Sequence, residues 1–376
     1  MDFGYSEEQR LLVDTFRRFT DERVRPRAAA LDEAHAFPRA LFGELAALGF
    51  FGLRYPPSVG GVGMDFQSYC LAITEISRGS LSLAACAAMQ SLMGTHFPWA
   101  LGDEDIHARI LGPALRGEKI AAFCITEPNA GSDLSSIATT ATRTDHGYVL
   151  NGQKMWITNA PVADFFTVFA RAGEERRLTI FLVERGSEGL HVGKTIEKMG
   201  AWGAVTSELA FDDCFVPEGH RLGAEGEGES ELRTILSKIR IMTGAMAIGV
   251  GRAAVEDAVR YAAERQQFGK PINRFQAIQA RLAEMGTDLE AATHLVHYAA
   301  WLVDNDRPHG REAAMAKLFA SEAATTICDK ASRVFGAYGY AMEYPIQRYL
   351  RDIRFTLYGG GTSEILKLLI AREMSR

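Results

Sequence analysis

Between Ser230 and about Arg265 the apolar residues Leu232, Ile235, Leu236, Ile239, Met242 and Met246 recur at three- and four-residue intervals, and no proline interrupts them. That period belongs to one face of an α-helix, and Gly269-Lys270-Pro271 ends the run. Gly244, Gly249 and Gly251 each weaken a helix from within, so close packing against another helix is expected there. Helical patterns over 274–304, 311–335 and 344–356, with a last start near Thr362, extend this into a four-helix bundle. The first part of the chain also reads as helices. Ser6-Glu7-Glu8-Gln9 has capping-box form, Leu12, Phe16 and Phe19 follow at helical spacing, and helices are expected over 39–48 and 65–77 around the Pro56-Pro57 and Gly60-Gly61 breaks. The middle differs. Short β-branched and aromatic runs at 139–143, 148–150, 165–169, 178–183 and 208–211, bounded by Gly, Asn and Asp, predict an antiparallel β domain. The order is thus an N-terminal helical domain (1–119), a β domain (120–226) and a C-terminal helical bundle (227–376): mainly α with a β middle.

Composition narrows the function classes. With 376 residues, 47% of them apolar and 23% charged, the chain can bury two or three cores. No apolar run reaches the roughly 20 residues of a membrane span, and Met1-Asp2-Phe3-Gly4 lacks the basic region that opens a secretory leader, so a cytoplasmic, soluble chain is expected. Five scattered cysteines without a C-x-x-C pair indicate buried thiols, and neither a disulfide framework nor a metal site. A net charge of −6 with no basic block disfavours a nucleic-acid partner.

Chemistry concentrates in a few blocks. Phe123-Cys124-Ile125-Thr126-Glu127-Pro128-Asn129-Ala130-Gly131-Ser132-Asp133 reads on its own as a strand end and tight loop. Gly152-Gln153-Lys154-Met155-Trp156-Ile157-Thr158-Asn159 reads as strand packing, and Arg265-Gln266-Gln267-Phe268-Gly269-Lys270-Pro271, with Phe275-Gln276, as a helix end with a surface arginine suited to paired hydrogen bonds to a diphosphate. Arg333-Val334-Phe335-Gly336-Ala337-Tyr338-Gly339-Tyr340 and the stretch from Arg351 to Arg372, RDIRFTLYGGGTSEILKLLIAR, complete the set.

Taken together and in this order, these blocks resemble the acyl-CoA dehydrogenase family over essentially the whole chain. The resemblance implies an FAD-dependent oxidoreductase acting on an acyl thioester. It implies that Phe123, Ile125, Thr126, Gly131 and Ser132 line the flavin, with Ser132 also bordering the thioester. Trp156 would cover the isoalloxazine and Thr158 would hydrogen-bond near N5. Arg265, with Phe268 and Gln276, would reach FAD bound mainly by a neighbouring subunit, making the protein a homodimer or homotetramer. Arg333 and Gly336 would lie near the nucleotide part, although Arg333 stands where the family has Gln and Ala337 where it has a second Gly. Thr362 and Glu364 would also touch the cofactor, and Arg240 and Gly361 the substrate.

One departure bears on mechanism. Aligned without a gap from Arg351-Asp352 to Thr362-Ser363, the family's catalytic glutamate falls on Gly360. The alternative location in related enzymes, just before the arginine of the long helix, falls on Ile239 beside Arg240. Loss of a general base costs about 10² to 10⁴ in rate. Gly360 retains the backbone N–H that in the family helps polarise the thioester carbonyl. Glu364, four residues on, is a candidate displaced base suited to γ,δ-dehydrogenation. Coenzyme A and an acyl carrier protein, the latter as in polyketide pathways, both stay open as carriers, and an electron-transferring flavoprotein or another acceptor would reoxidise the flavin. An enoyl-thioester reductase, a flavin-dependent monooxygenase on the same architecture, and a nucleic-acid-binding flavoprotein are the competing readings.

Overall fold

The computed structural model describes residues 4–375; Met1, Asp2 and Phe3, where the leader expectation falls, and the terminal Arg376 lie outside them. The capping box forms: Ser6 Oγ accepts the Gln9 N–H and Gln9 Oε1 accepts the Ser6 N–H, both at 3.1 Å. It opens α1 (Glu7–Phe19), whose Val13, Phe16 and Phe19 face the core. α2 (Arg39–Ala47) and α3 (Phe66–Gly79) follow. The next helix, α4 (Leu81–Ala88), buries all eight of its residues. It therefore has no polar face, and no amphipathic period marks it in the sequence.

The β domain is one sheet of β1 (Ala121–Cys124), β2 (Thr140–Thr144), β3 (Gly147–Thr158), β4 (Phe165–Ala172), β5 (Arg177–Glu184), β6 (Leu190–Thr195), β7 (Thr206–Pro217) and β8 (Arg221–Leu222), in the order β6-β7-β3-β2-β4-β5-β8 with β1 beside β4. It is not wholly antiparallel as expected, because β4 pairs in parallel with both β1 and the start of β2. The long connections from β1 and β2 to β4 allow that geometry, which a two-residue turn cannot close.

The C-terminal domain packs α5 (Gly228–Glu264), α6 (Gln276–Asp304) and α7 (Gly310–Phe335) together, with α3 lying against α5. α5 is long and apolar enough to cross a bilayer by length and composition, contrary to the sequence expectation, but 78% of its apolar window is buried inside the fold. Its glycines serve the packing unequally. A Cβ on Gly249 would sit 1.9 Å from Ser77 Oγ and 2.2 Å from the Thr74 carbonyl, so α3 and α5 touch backbone to backbone there. A Cβ on Gly244 would sit 2.9 Å from Val296, whereas one on Gly251 would make only ordinary contacts at 3.5 Å. The helix expected over 344–356 is two pieces, α8 (Pro345–Ile353) and α9 (Phe355–Tyr358), followed by α10 (Ser363–Met374). All five cysteines are buried and free.

Candidate active site

Three groups of side chains carry the motifs. The first is on the sheet. Lys154 is fully buried, and its Nζ donates to Glu127 Oε1 at 2.7 Å and to the Ile125 carbonyl at 3.3 Å. Glu127 also accepts the backbone N–H groups of Ala138 and Thr139 at 2.7 and 3.0 Å. Burial opposes ionisation of Glu127, but Lys154 and these donors outweigh it and hold the carboxyl below its usual range. The pair thus ties β3 to the loop after β1, and Met155 N–H donates to the Thr126 carbonyl at 2.8 Å. The β3–β7 register slips between Lys154 and Ile157. This bulge swings Trp156 out of the ladder with φ +62° and leaves it 56% exposed, while Ile157 stays in the core. Thr158, two residues on, and Ile125, at the start of the loop after β1, are half-buried, and Gly131 and Ser132 form the exposed lip of that loop. The ring of Phe123 is in the core against Phe97 and Phe169, so it is the backbone of this residue that is left to face a ligand.

A second group lies on the C-terminal domain. The Arg265 guanidinium sits 5.4 Å from the centre of the Tyr338 ring. Phe268 is held at φ +52° and is 94% exposed, and Tyr340 is 93% exposed. Gln276 and Arg333 are exposed, the latter paired with Asp329 at 2.8 Å, and Gly336 ends α7 with φ +61°. Burial usually claims large aromatics, and none of the described residues covers Phe268 or Tyr340.

The third group surrounds Gly360. Its φ of +73° is left-handed, and a Cβ there would point between Thr243 Oγ1 at 3.1 Å and Ile239 Cγ2 at 3.7 Å on α5. No acceptor among the described residues takes its N–H. Arg240, next to Ile239, is half-buried, and among the described residues its guanidinium has no hydrogen-bond or ion-pair partner; its Nε is sealed from solvent, and burial pushes its pKa down. Thr362 caps α10, its Oγ1 accepting the Ile365 N–H at 3.4 Å. Glu364 is exposed, and no hydrogen bond turns it toward Gly360. The Arg351-Asp352 motif just upstream joins all three domains. Asp352 accepts the Ala201 N–H at 2.6 Å, and the Arg351 guanidinium lies 4.0 Å over Trp202, whose other side stacks on His35 at 4.0 Å. Burial raises the Asp352 pKa to about 6.

The sequence profiles of the acyl-CoA dehydrogenase N-terminal, middle and C-terminal domains match residues 6–118, 122–214 and 226–375. The chain belongs to the acyl-CoA dehydrogenase family. Benzylmalonyl-CoA dehydrogenase of Aromatoleum aromaticum is 68% identical over the full length of both chains. Butyryl-CoA dehydrogenase of Megasphaera elsdenii superposes with a TM-score of 0.96 at 36% identity, and PigA, solved with FAD, with 0.96 at 29%; both comparisons cover 100% of this chain, and 100% and 99% of the other. This protein is accordingly an FAD-dependent oxidoreductase acting on CH–CH bonds. Its residues fit that cofactor: Trp156 presents an open aromatic face beside a glycine lip with free space at Gly131, and Arg265 offers an exposed planar fork.

Two elements escaped sequence reasoning. The Glu127–Lys154 pair and Lys317, a fully buried lysine on α7, are charges at core positions. Lys317 interrupts the stripe Ala313, Ala316, Ala320 and Ala324, and that interruption is the signal that would have found it.

Proposed function

We propose that this enzyme oxidises a 2-carboxyacyl-CoA, of the benzylmalonyl-CoA type, to an α,β-unsaturated acyl-CoA with release of CO2. The observation that carries the reading is Gly360. An ordinary dehydrogenase must remove a proton from the α-carbon, and this chain has no carboxylate at Gly360 or Ile239 to take it. A substrate with a carboxylate on that carbon needs no base. The α-carbon–carboxylate bond breaks, CO2 leaves, and its electron pair becomes the new double bond as hydride leaves the β-carbon. FAD, when bound, supplies the two-electron acceptor for that hydride.

The chain's own groups suit each requirement. With glycine at position 360, where a Cβ would already lie 3.1 Å from Thr243 Oγ1 and 3.7 Å from Ile239 Cγ2, the loop carries no carboxylate that would repel the substrate's own. Arg240, a half-buried cation without a partner, captures the anionic substrate. The free Gly360 N–H takes the thioester oxygen, where charge grows as the bond breaks; Gly361 and Ser132 border the same thioester. Phe268 and Tyr340 are the aromatics a neighbouring subunit covers, with Arg265, Gln276, Arg333 and Gly336 serving that subunit's FAD. An electron-transferring flavoprotein or another acceptor reoxidises the enzyme. The γ,δ reading has weaker support, because Glu364 is exposed and nothing orients it.

The test is a pair of substrates. The FAD-loaded enzyme is mixed with benzylmalonyl-CoA or with 3-phenylpropanoyl-CoA, its analogue lacking the carboxylate, and flavin bleaching, CO2 and product are measured. Bleaching and equimolar CO2 and cinnamoyl-CoA from the first alone is the expected result. Comparable oxidation of the second would refute the proposal.

A further inference from the structure

We propose that Lys317 is a positioning residue that holds the glycine loop so that the Gly360 N–H is aimed at the thioester oxygen. The inference rests on the reading of that N–H given above. From α7, Lys317 Nζ donates to the Gly361 carbonyl at 2.6 Å and the Leu357 carbonyl at 3.4 Å, gripping the chain on both sides of Gly360. One turn on, Ser321 Oγ donates to the Thr356 carbonyl at 3.1 Å, and Ser363 Oγ donates to Glu322 at 2.6 Å, so α7 carries the whole segment from Thr356 to Ser363. The need is specific. Gly359, Gly360 and Gly361 have no side chains with which to anchor themselves, and glycine has the widest backbone freedom of any residue. The Gly359 N–H is tied to the Phe355 carbonyl at 3.0 Å, and the donor bound to the Leu357 and Gly361 carbonyls fixes the direction of the N–H between them.

An ammonium donor is stronger than a neutral one, which makes the hold titratable. Burial lowers the Lys317 pKa to about 8; Arg240 on α5 acts in the same direction, and Glu322 on α7 and Glu364 on α10 oppose it. The charge is present below that pH and lost above it. Aiming of the N–H, and turnover with it, therefore weakens as pH rises through about 8.

The experiment reads the carbonyl directly, as the infrared stretch of carbonyl-labelled cinnamoyl-CoA bound at saturation to the FAD-loaded enzyme. In the native protein the stretch is expected at lower frequency than in water near neutral pH, relaxing upward as pH passes about 8. Lys317→Met loses most of the shift and its pH dependence, with kcat down about tenfold and KM changed less than about threefold. Lys317→Arg keeps its charge and the shift to higher pH. A full shift in Lys317→Met, or a native shift that does not move with pH, overturns the inference, and the native titration and Lys317→Arg decide it even if Lys317→Met does not fold. Absence of any shift in the native enzyme would instead overturn the role of the Gly360 N–H itself.

Discussion

The loop after β1 and the loop before α10 are built on opposite principles. The first is fixed from inside by side chains: a fully buried lysine, a glutamate with four donors, and a bulge that throws one tryptophan outward. The second has lost its side chains and is fixed from outside by Lys317 and Ser321. The contrast separates two chemical tasks. On the function proposed above, holding a flavin is the same task whatever bond supplies the electrons, and that task falls to the first loop. Starting the reaction depends on whether a proton or CO2 leaves the α-carbon, and on the same proposal that step falls to the second.

The strongest way to break the comparison is to give the second loop its carboxylate. Gly360→Glu would fill the direction between Ile239 and Thr243, 3.1 Å from the threonine hydroxyl, at a φ of +73° that L-residues adopt at about 1 to 2 kcal/mol. Decarboxylating turnover should fall by about 10² or more, and oxidation of 3-phenylpropanoyl-CoA should appear above background, since a positioned base contributes about 10² to 10⁴. Steady-state rates on the two thioesters check it. Lys154→Met attacks the other loop. It strands the Glu127 charge in the core, which costs about 3 to 5 kcal/mol. Denaturant unfolding should register that loss along with released FAD, and adding Glu127→Gln should recover part of it. Arg240→Met comes next. Losing a charged hydrogen bond of about 1.5 to 3 kcal/mol to the substrate carboxylate should raise KM roughly tenfold to a hundredfold, with a smaller change in kcat.

These two kinds of loop also explain what the sequence disclosed. Periodicity announced α1, which sets a polar face against an apolar one, whereas α4, buried all round, has no such contrast; α5, buried on every side from Ile241 to Gly251, was announced by the length over which its apolar residues recur, and β4 and β5 by their β-branched and aromatic residues. The parallel pairs of β4 depend on long-range connections that strand-by-strand alternation does not encode. The motif blocks singled out Trp156 and Arg265, which the structure leaves exposed, and Gly360 by a gap in one of them. That the ring of Phe123 turns into the core was not legible, because the motif records which residue stands at the strand end and not which side of the sheet it faces. The partners of Lys154 and Lys317 were invisible for a similar reason: Glu127 lies 27 positions from Lys154, and Gly361 lies 44 from Lys317.

The smallest expected effect sharpens the comparison most. If the second loop has given up proton abstraction altogether, Glu364 has no proton to remove, and Glu364→Gln should leave turnover of benzylmalonyl-CoA within about twofold. An exposed charge at a helix start contributes only about 0.3 to 1 kcal/mol, here by favouring the N-terminus of α10, so stability should hardly change either. A large fall in kcat would mean that a displaced carboxylate does take a proton. Deuterium at the α-carbon then discriminates. A base acting there slows the deuterated substrate severalfold, whereas loss of CO2 leaves that C–D bond intact and the rate nearly unchanged.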